Sequence, residues 1–164
     1  MAYVQGIEES EIVISKHEEQ RWRDREKELS RWIATPKPVI RAKRTICFSG
    51  THVDAELLPA LTILNQLGIA TEYSCAGVSL RDEPVDHSLY AYITFPASPQ
   101  ADAFVKLAME RMRHRLQVSY EPGRNRYDLS SFYIGHNRSF CLLMESCARA
   151  LQEQENQRDS VDMS

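Results

Sequence analysis

The 164-residue chain has few glycines, 6 in all, and no apolar run near the roughly 20 residues that a membrane-spanning helix needs. That absence excludes a helical membrane protein. Its four cysteines, Cys47, Cys75, Cys141 and Cys147, form no CxxC pair and have no histidine at finger-like spacing, so no metal is expected and the thiols read as free. Neither sign of charge dominates: 20 Lys plus Arg stand against 23 Asp plus Glu, a net charge of −3, and the isoelectric point is about 6.0. A general nucleic-acid coat, which as a rule has a pI above roughly 9, is therefore excluded, although a local basic patch is not. The opening MAYVQGIEESEIV has acidic residues where a secretory leader has positive ones, and no apolar stretch follows. The expectation is a cytoplasmic protein.

With 43% hydrophobic residues, the chain has material for one core in one domain of ordinary size. Residues 16–33, KHEEQRWRDREKELSRWI, are rich in charge and in good helix formers, and they place Trp22, Leu29, Trp32 and Ile33 on one thin apolar stripe. This predicts a charged N-terminal helix within residues 1–34, packed on the following domain or paired in a homodimer. Pro36 and Pro38 end it.

From residue 39 to 152, β-branched runs alternate with amphipathic ones. The reading is a first strand in 39–48, a turn at Ser49 and Gly50, and a helix over 54–67 entered through a capping box at Thr51 and Asp54. Strands follow at 69–74 and 89–95, then a helix at 98–114, strands at 116–120 and 131–134, and a helix at 139–152. The order predicts an α/β (α+β) fold, a small mixed sheet covered by helices in βαβ-βαβ-βα order, with residues 153–164 as a flexible polar tail.

Three loops have chemistry to offer. Ser74-Cys75-Ala76-Gly77 at a strand end suits an anion, because successive N–H groups in a turn form a nest and glycine lets a ligand approach the backbone. Ser49-Gly50-Thr51-His52, read as a strand-to-helix turn, presents a helix N-terminus. Gly135-His136-Asn137-Arg138 joins a bidentate phosphate partner in Arg138 to two residues able to read a base edge. His87 lies in the polar loop between strands, and Tyr73, Tyr90 and Tyr92 are candidates to stack on a base, the last two sharing a face by strand alternation. Arg111, Arg113, His114 and Arg115 read as a solvated helix end before they read as an RNA contact.

The run LNQLGIATEYSCAG at residues 64–77, followed by LYAYITF, LQVSYEP and FYIGHNR, resembles the wybutosine-synthesising tRNA methyltransferase family, whose members carry Thr-x-x-Ser-Cys-x-Gly at the end of a strand. Here the motif is Thr71, Ser74, Cys75 and Gly77. The likeness covers about residues 45–152, in one specific motif and otherwise in element order. Where the family usually has a basic residue after the motif glycine and a histidine in its late strand, this chain has Val78 and Ile134; Arg138 matches a family arginine. Together these features predict a protein that binds a nucleotide-like, phosphate-bearing ligand in a loop-lined cleft, to sequester or sense it. The alternatives are an enzyme acting on RNA or a nucleotide, for which the resemblance implies S-adenosylmethionine as cofactor, or a protein-interaction module.

Overall fold

A computed structural model describes residues 11–37, 44–79 and 88–162. The expected fold class is present: an α+β arrangement of a five-stranded sheet, a separate β-hairpin and four α-helices. The elements are β1 (Ile12–Val13), α1 (Glu19–Ala34), β2 (Thr45–Phe48), β3 (Thr51–Asp54), α2 (Leu58–Gln66), β4 (Tyr73–Cys75), β5 (Tyr92–Pro96), α3 (Pro99–Met112), β6 (Leu116–Glu121), β7 (Arg126–Ser131) and α4 (Asn137–Asp162).

The main sheet has the order β1-β6-β7-β5-β4, and every pair in it is antiparallel, where a mixed sheet was expected. The reason is a split βαβ unit. Strands β5 and β6, linked through α3, run parallel to each other, but β7 inserts between them and hydrogen-bonds to both. The turn at residues 122–125 makes this insertion possible: Asn125 takes a positive φ of 49° and returns the chain at once, so β7 begins at Arg126, earlier than the sequence reading placed it.

One face of the sheet is apolar. Ile93, Phe95, Leu116, Val118 and Leu129 pack against Leu61 and Leu64 of α2, Phe104 and Ala108 of α3, and Phe140, Met144 and Cys147 of α4. Each helix has a local cause. Helix α3 starts where Ser98 Oγ accepts the Ala101 N–H at 3.0 Å, with Pro99 in the first turn, where a missing N–H costs nothing. Helix α4 continues to Asp162, past the expected end near residue 152. The residues 152–158 are mostly good helix formers and no Gly or Pro breaks the run to Asp162, so the polar segment read as a tail extends the helix along an exposed path.

The opposite face carries Tyr92, Thr94, Asp128, Ser130 and Ser119. Asp128 is largely buried there; desolvation first, then Glu11 and Glu121, against an opposing pull from Arg126, raise its carboxyl to about 6.

Helix α1 docks at the end of the sheet where β7 leads into α4. Residues Arg21, Arg25, Glu28 and Trp32, spaced by four, three and four, form one helical stripe, and each meets the domain. The Trp32 indole donates to Ser79 O at 3.1 Å and packs with Val78 and Ile134 in a second small core. Ile33, expected on the buried stripe, is exposed. Among the described residues no helix is long and apolar enough to cross a membrane.

Candidate anion-binding site

Two of the three loops expected to hold an anion are occupied by carboxylates of the chain itself. At the SCAG turn, Ala76 N–H donates to Asp54 Oδ2 at 2.7 Å, and Gly77 N–H donates to Cys75 Sγ at 3.3 Å. At the GHNR turn, Ile134 N–H and Gly135 N–H donate to the two oxygens of Glu28 at 2.6 and 3.1 Å. The sequence reading found backbone nests, and the fold fills them internally: Asp54 ties the hairpin to β4, and Glu28 ties α1 to the start of α4.

Asn137, expected to read a base, is 4% exposed and is a structural clamp. Its Oδ1 accepts from Ala91 N–H at 2.8 Å and Ser131 Oγ–H at 2.5 Å; its Nδ2 donates to Val78 O at 2.6 Å and Leu89 O at 2.8 Å. Two acceptor and two donor contacts exhaust most of an amide side chain's capacity. The clamp explains Gly77, whose φ is 76° and whose missing Cβ would fall 2.6 Å from Ala91 N and against Asn137. It is the protein's own amide that approaches the glycine, in the place a ligand was expected to take.

The SGTH segment is a correction. Thr51, His52 and Asp54 lie in β3, and Ser49 and Gly50 form a two-residue hairpin turn with φ of 51° and 80°. Positive φ at both positions is the twist that matches a hairpin, so the segment is no helix start and presents no helix N-terminus. Ser49, Thr51 and His52 are exposed. Tyr90 and Tyr92 do not share a strand face, because β5 starts only at Tyr92: the Tyr90 ring lies under Arg25, whereas Tyr92 sits on the polar sheet face beside Cys75 and Asp128. Tyr73 is exposed on β4, with the Arg126 guanidinium 5.8 Å from its ring centre. Ser74 stands opposite Ile93, and Arg138 is exposed in the first turn of α4. His87 lies outside the described residues. The two apolar departures from the family pattern, Val78 and Ile134, are both buried under Trp32.

A different set of residues converges. Phe132, fully buried, stacks on His17 with ring centres 3.9 Å apart and meets Trp22 edge-on at 5.0 Å. Arg21 lies over Phe132 and Tyr133, at 5.6 and 5.1 Å, and Arg25 over Tyr90 at 4.2 Å. His136 packs edge-on against Tyr133 at 5.0 Å. Arg21 also donates to His114 O at 3.1 Å, which brings the 113–115 turn to the same place. Beside it opens a cleft of about 600 Å³ whose walls include Lys16, His17, Arg21, Arg113 and His114, with Glu18 as its one acid.

Electrostatics single out this cluster. Among the described residues, no carboxylate pairs with Arg21, Arg25, Arg113 or Arg115. Burial and then the Arg115 and Arg21 guanidinium groups push the His136 imidazole down to about 4. His17 is lowered by burial and by Arg21 and Arg25, against a raising bond to Leu116 O, and His114 by burial and by Arg21, Arg115 and Arg113. Five buried polar atoms here, His17 Nδ1, Arg21 Nε, Arg25 Nη1, Tyr90 Oη and His136 Nδ1, have no hydrogen-bond partner among the described residues. Buried polar groups are nearly always paired, with protein or with water, so these five atoms have hydrogen-bonding capacity to spare. Arg113 adds a strained backbone, with φ 49° and ψ −116°, a conformation costing on the order of 1–3 kcal/mol for a residue with a side chain.

The sequence reading missed Arg21, Arg25 and Glu28; Arg113, His114 and Arg115, read as a solvated helix end, are exposed at the end of α3. A signal was present: the 21, 25, 28, 32 spacing aligns charged residues with a tryptophan on one stripe, a pattern that an apolar-only search passes over. Among the described residues, no three His, Cys, Asp or Glu side chains come together as a metal set. No protein-family model matches the chain, and comparison with curated proteins and with solved structures gives no significant match.

Proposed function

We propose that the protein binds a phosphate-bearing, nucleotide-like ligand, and that the phosphate sits in the basic cleft between α1 and the 113–115 turn. The observation that carries the reading is the half-buried set of Arg21, Arg25, His17 and His136 around Phe132 and Tyr133, of which Arg21 and His17 line the cleft, with no carboxylate in salt-bridge contact among the described residues and with nitrogen atoms left unpaired there. A phosphate offers several strong acceptor oxygens and a balancing charge, and Arg is the side chain best matched to it.

The histidines add a direction to the chemistry. His17 Nε2 bonds to Leu116 O at 2.9 Å; a carbonyl only accepts, so Nε2 holds a proton and the neutral ring leaves a bare lone pair at Nδ1. Burial first and then the arginines hold these imidazoles neutral, and an arriving anion offsets the arginine part, so binding is accompanied by proton uptake. Affinity then rises as the pH falls through the histidine range, the opposite of what a site of arginines alone gives.

The test is calorimetric titration with nucleoside 5′-monophosphates, on the wild type and on Arg21→Ala, with thermal melting as a check on folding. Saturation at one ligand per chain, weakened at least about tenfold (1.4 kcal/mol) by the substitution, supports the reading. Its failure is an absence of binding by any of the nucleotides, or equal affinity in both proteins.

A further inference from the structure

Across the 113–115 turn from the basic cleft lies a second one, of about 440 Å³, floored by Met112, Leu142 and Leu143 and rimmed by Arg115 and Ser139. The two clefts share Arg113 and His114 as their common wall. They differ in chemistry. The first is lined mainly by cations and imidazoles, with Glu18, Ile14 and Met109 among them; the second has Met112, Leu142 and Leu143 beside its arginines, and Leu142 is 65% exposed on the surface of α4. An exposed leucine alone needs no explanation. An exposed leucine that shares a cleft with Arg113 and Arg115 of a strained turn, next to a second, basic cleft of about 600 Å³, does. Arg115 is also oriented, its Nη1 donating to Ser139 Oγ at 3.3 Å.

Building on the phosphate reading above, we propose that this second cleft is a nucleobase subsite: the ligand lies across the 113–115 turn, phosphate on the Arg21 side, base against Leu142 and Leu143. Each part of a nucleotide then meets matching chemistry. The flat apolar faces of the base remove the leucine floor from water, and the planar guanidinium groups of Arg113 and Arg115 stack on π-systems or reach the base edge in the way that lysines do not. The turn is central to recognition, because it supplies cations to both halves.

The experiment compares ribose 5-phosphate with the four common nucleoside 5′-monophosphates on wild type, Leu142→Asn and Arg21→Ala. Leu142 is exposed, so its replacement leaves the core intact, which melting curves check. The expected result is that at least one nucleotide binds about tenfold or more tighter than ribose 5-phosphate, and that Leu142→Asn removes this advantage while ribose 5-phosphate binds unchanged. Equal affinity of ribose 5-phosphate and all four nucleotides overturns the subsite, as does a base advantage that survives Leu142→Asn. Loss of the phosphate reading itself looks different: no probe binds, or Arg21→Ala weakens none of them, and the subsite falls with it.

Discussion

At the scale of single residues, the chain separates holding from binding. Asn137 holds. Replacing it with alanine leaves Ala91 N–H, Val78 O and Leu89 O without their partners, and an unpaired buried polar group costs about 1–3 kcal/mol each. Asn137→Ala is expected to lower stability by at least about 3 kcal/mol in urea melts, and Gly77→Ala to do comparable damage through its positive φ and the lost space. Arg113 is the converse case. Arg113→Gly relieves a conformation that suits glycine, so it should raise stability by about 1 kcal/mol while weakening ligand binding about tenfold, two effects of opposite sign read from a melt and a titration of the same sample. Asp128 is a third kind, a carboxylate whose raised value of about 6 means the folded state takes up its proton more readily than the unfolded one. Its folded-state pKa is above the unfolded value, so stability is full below about pH 4 and is lost as the pH climbs through 6. Asp128→Asn should therefore stabilise the protein by about 1–3 kcal/mol at pH 8 and by almost nothing at pH 4, in parallel melts at the two values.

At the scale of elements, legibility depended on what each element packs against. The helices α2, α3 and α4 were readable because their apolar spacing faces one sheet, and Ser98-Pro99 signals a start that the fold uses. The strands were readable as strands but not as a sheet: the parallel crossover β5-α3-β6 is in the sequence pattern, whereas the insertion of β7 is decided by the turn at Asn125 and by pairing on both sides. The hairpin was misread because Thr51 and Asp54 satisfy the helix-cap pattern, while positive φ at Ser49 is a decision of the backbone that serine does not announce. The candidate site was harder still. Sequence indicated the turns with anion-binding geometry, but not that Asp54 and Glu28, distant in the chain, would supply the anions. Helix α1 reads as a charged helix that packs through a thin apolar stripe, yet Arg21 and Arg25 also lie over aromatic rings. The helix docks through Glu28 and Trp32, so Glu28→Ala is expected to cost about 1–3 kcal/mol by stripping two N–H groups of their acceptor. Hydrogen exchange should then show faster exchange of α1 and of the Ile134 and Gly135 amides, with the sheet core unchanged.

At the scale of the whole molecule, a net charge of −3 coexists with a concentrated positive cleft. Several acids are engaged without pairing to the arginines around that cleft: Glu19, Glu121 and Glu145 pair with Arg23, with Arg124 and Arg126, and with Arg149, and Asp54 and Glu28 close the turns. Arg21, Arg25, Arg113 and Arg115, without an ion pair among the described residues, lie where α1, the 113–115 turn and the start of α4 meet. Overall charge therefore says little about the ligand, and local charge says most. The most direct test of the account is a titration of the uniformly 15N-labelled protein with a nucleoside monophosphate, following the imidazole nitrogens of each histidine by NMR near pH 6.5. The account predicts that His17, His114 and His136 move together toward their protonated positions on ligand addition while His52, on the exposed hairpin, stays still. Movement of His52 alone, or no movement of the three, would contradict it.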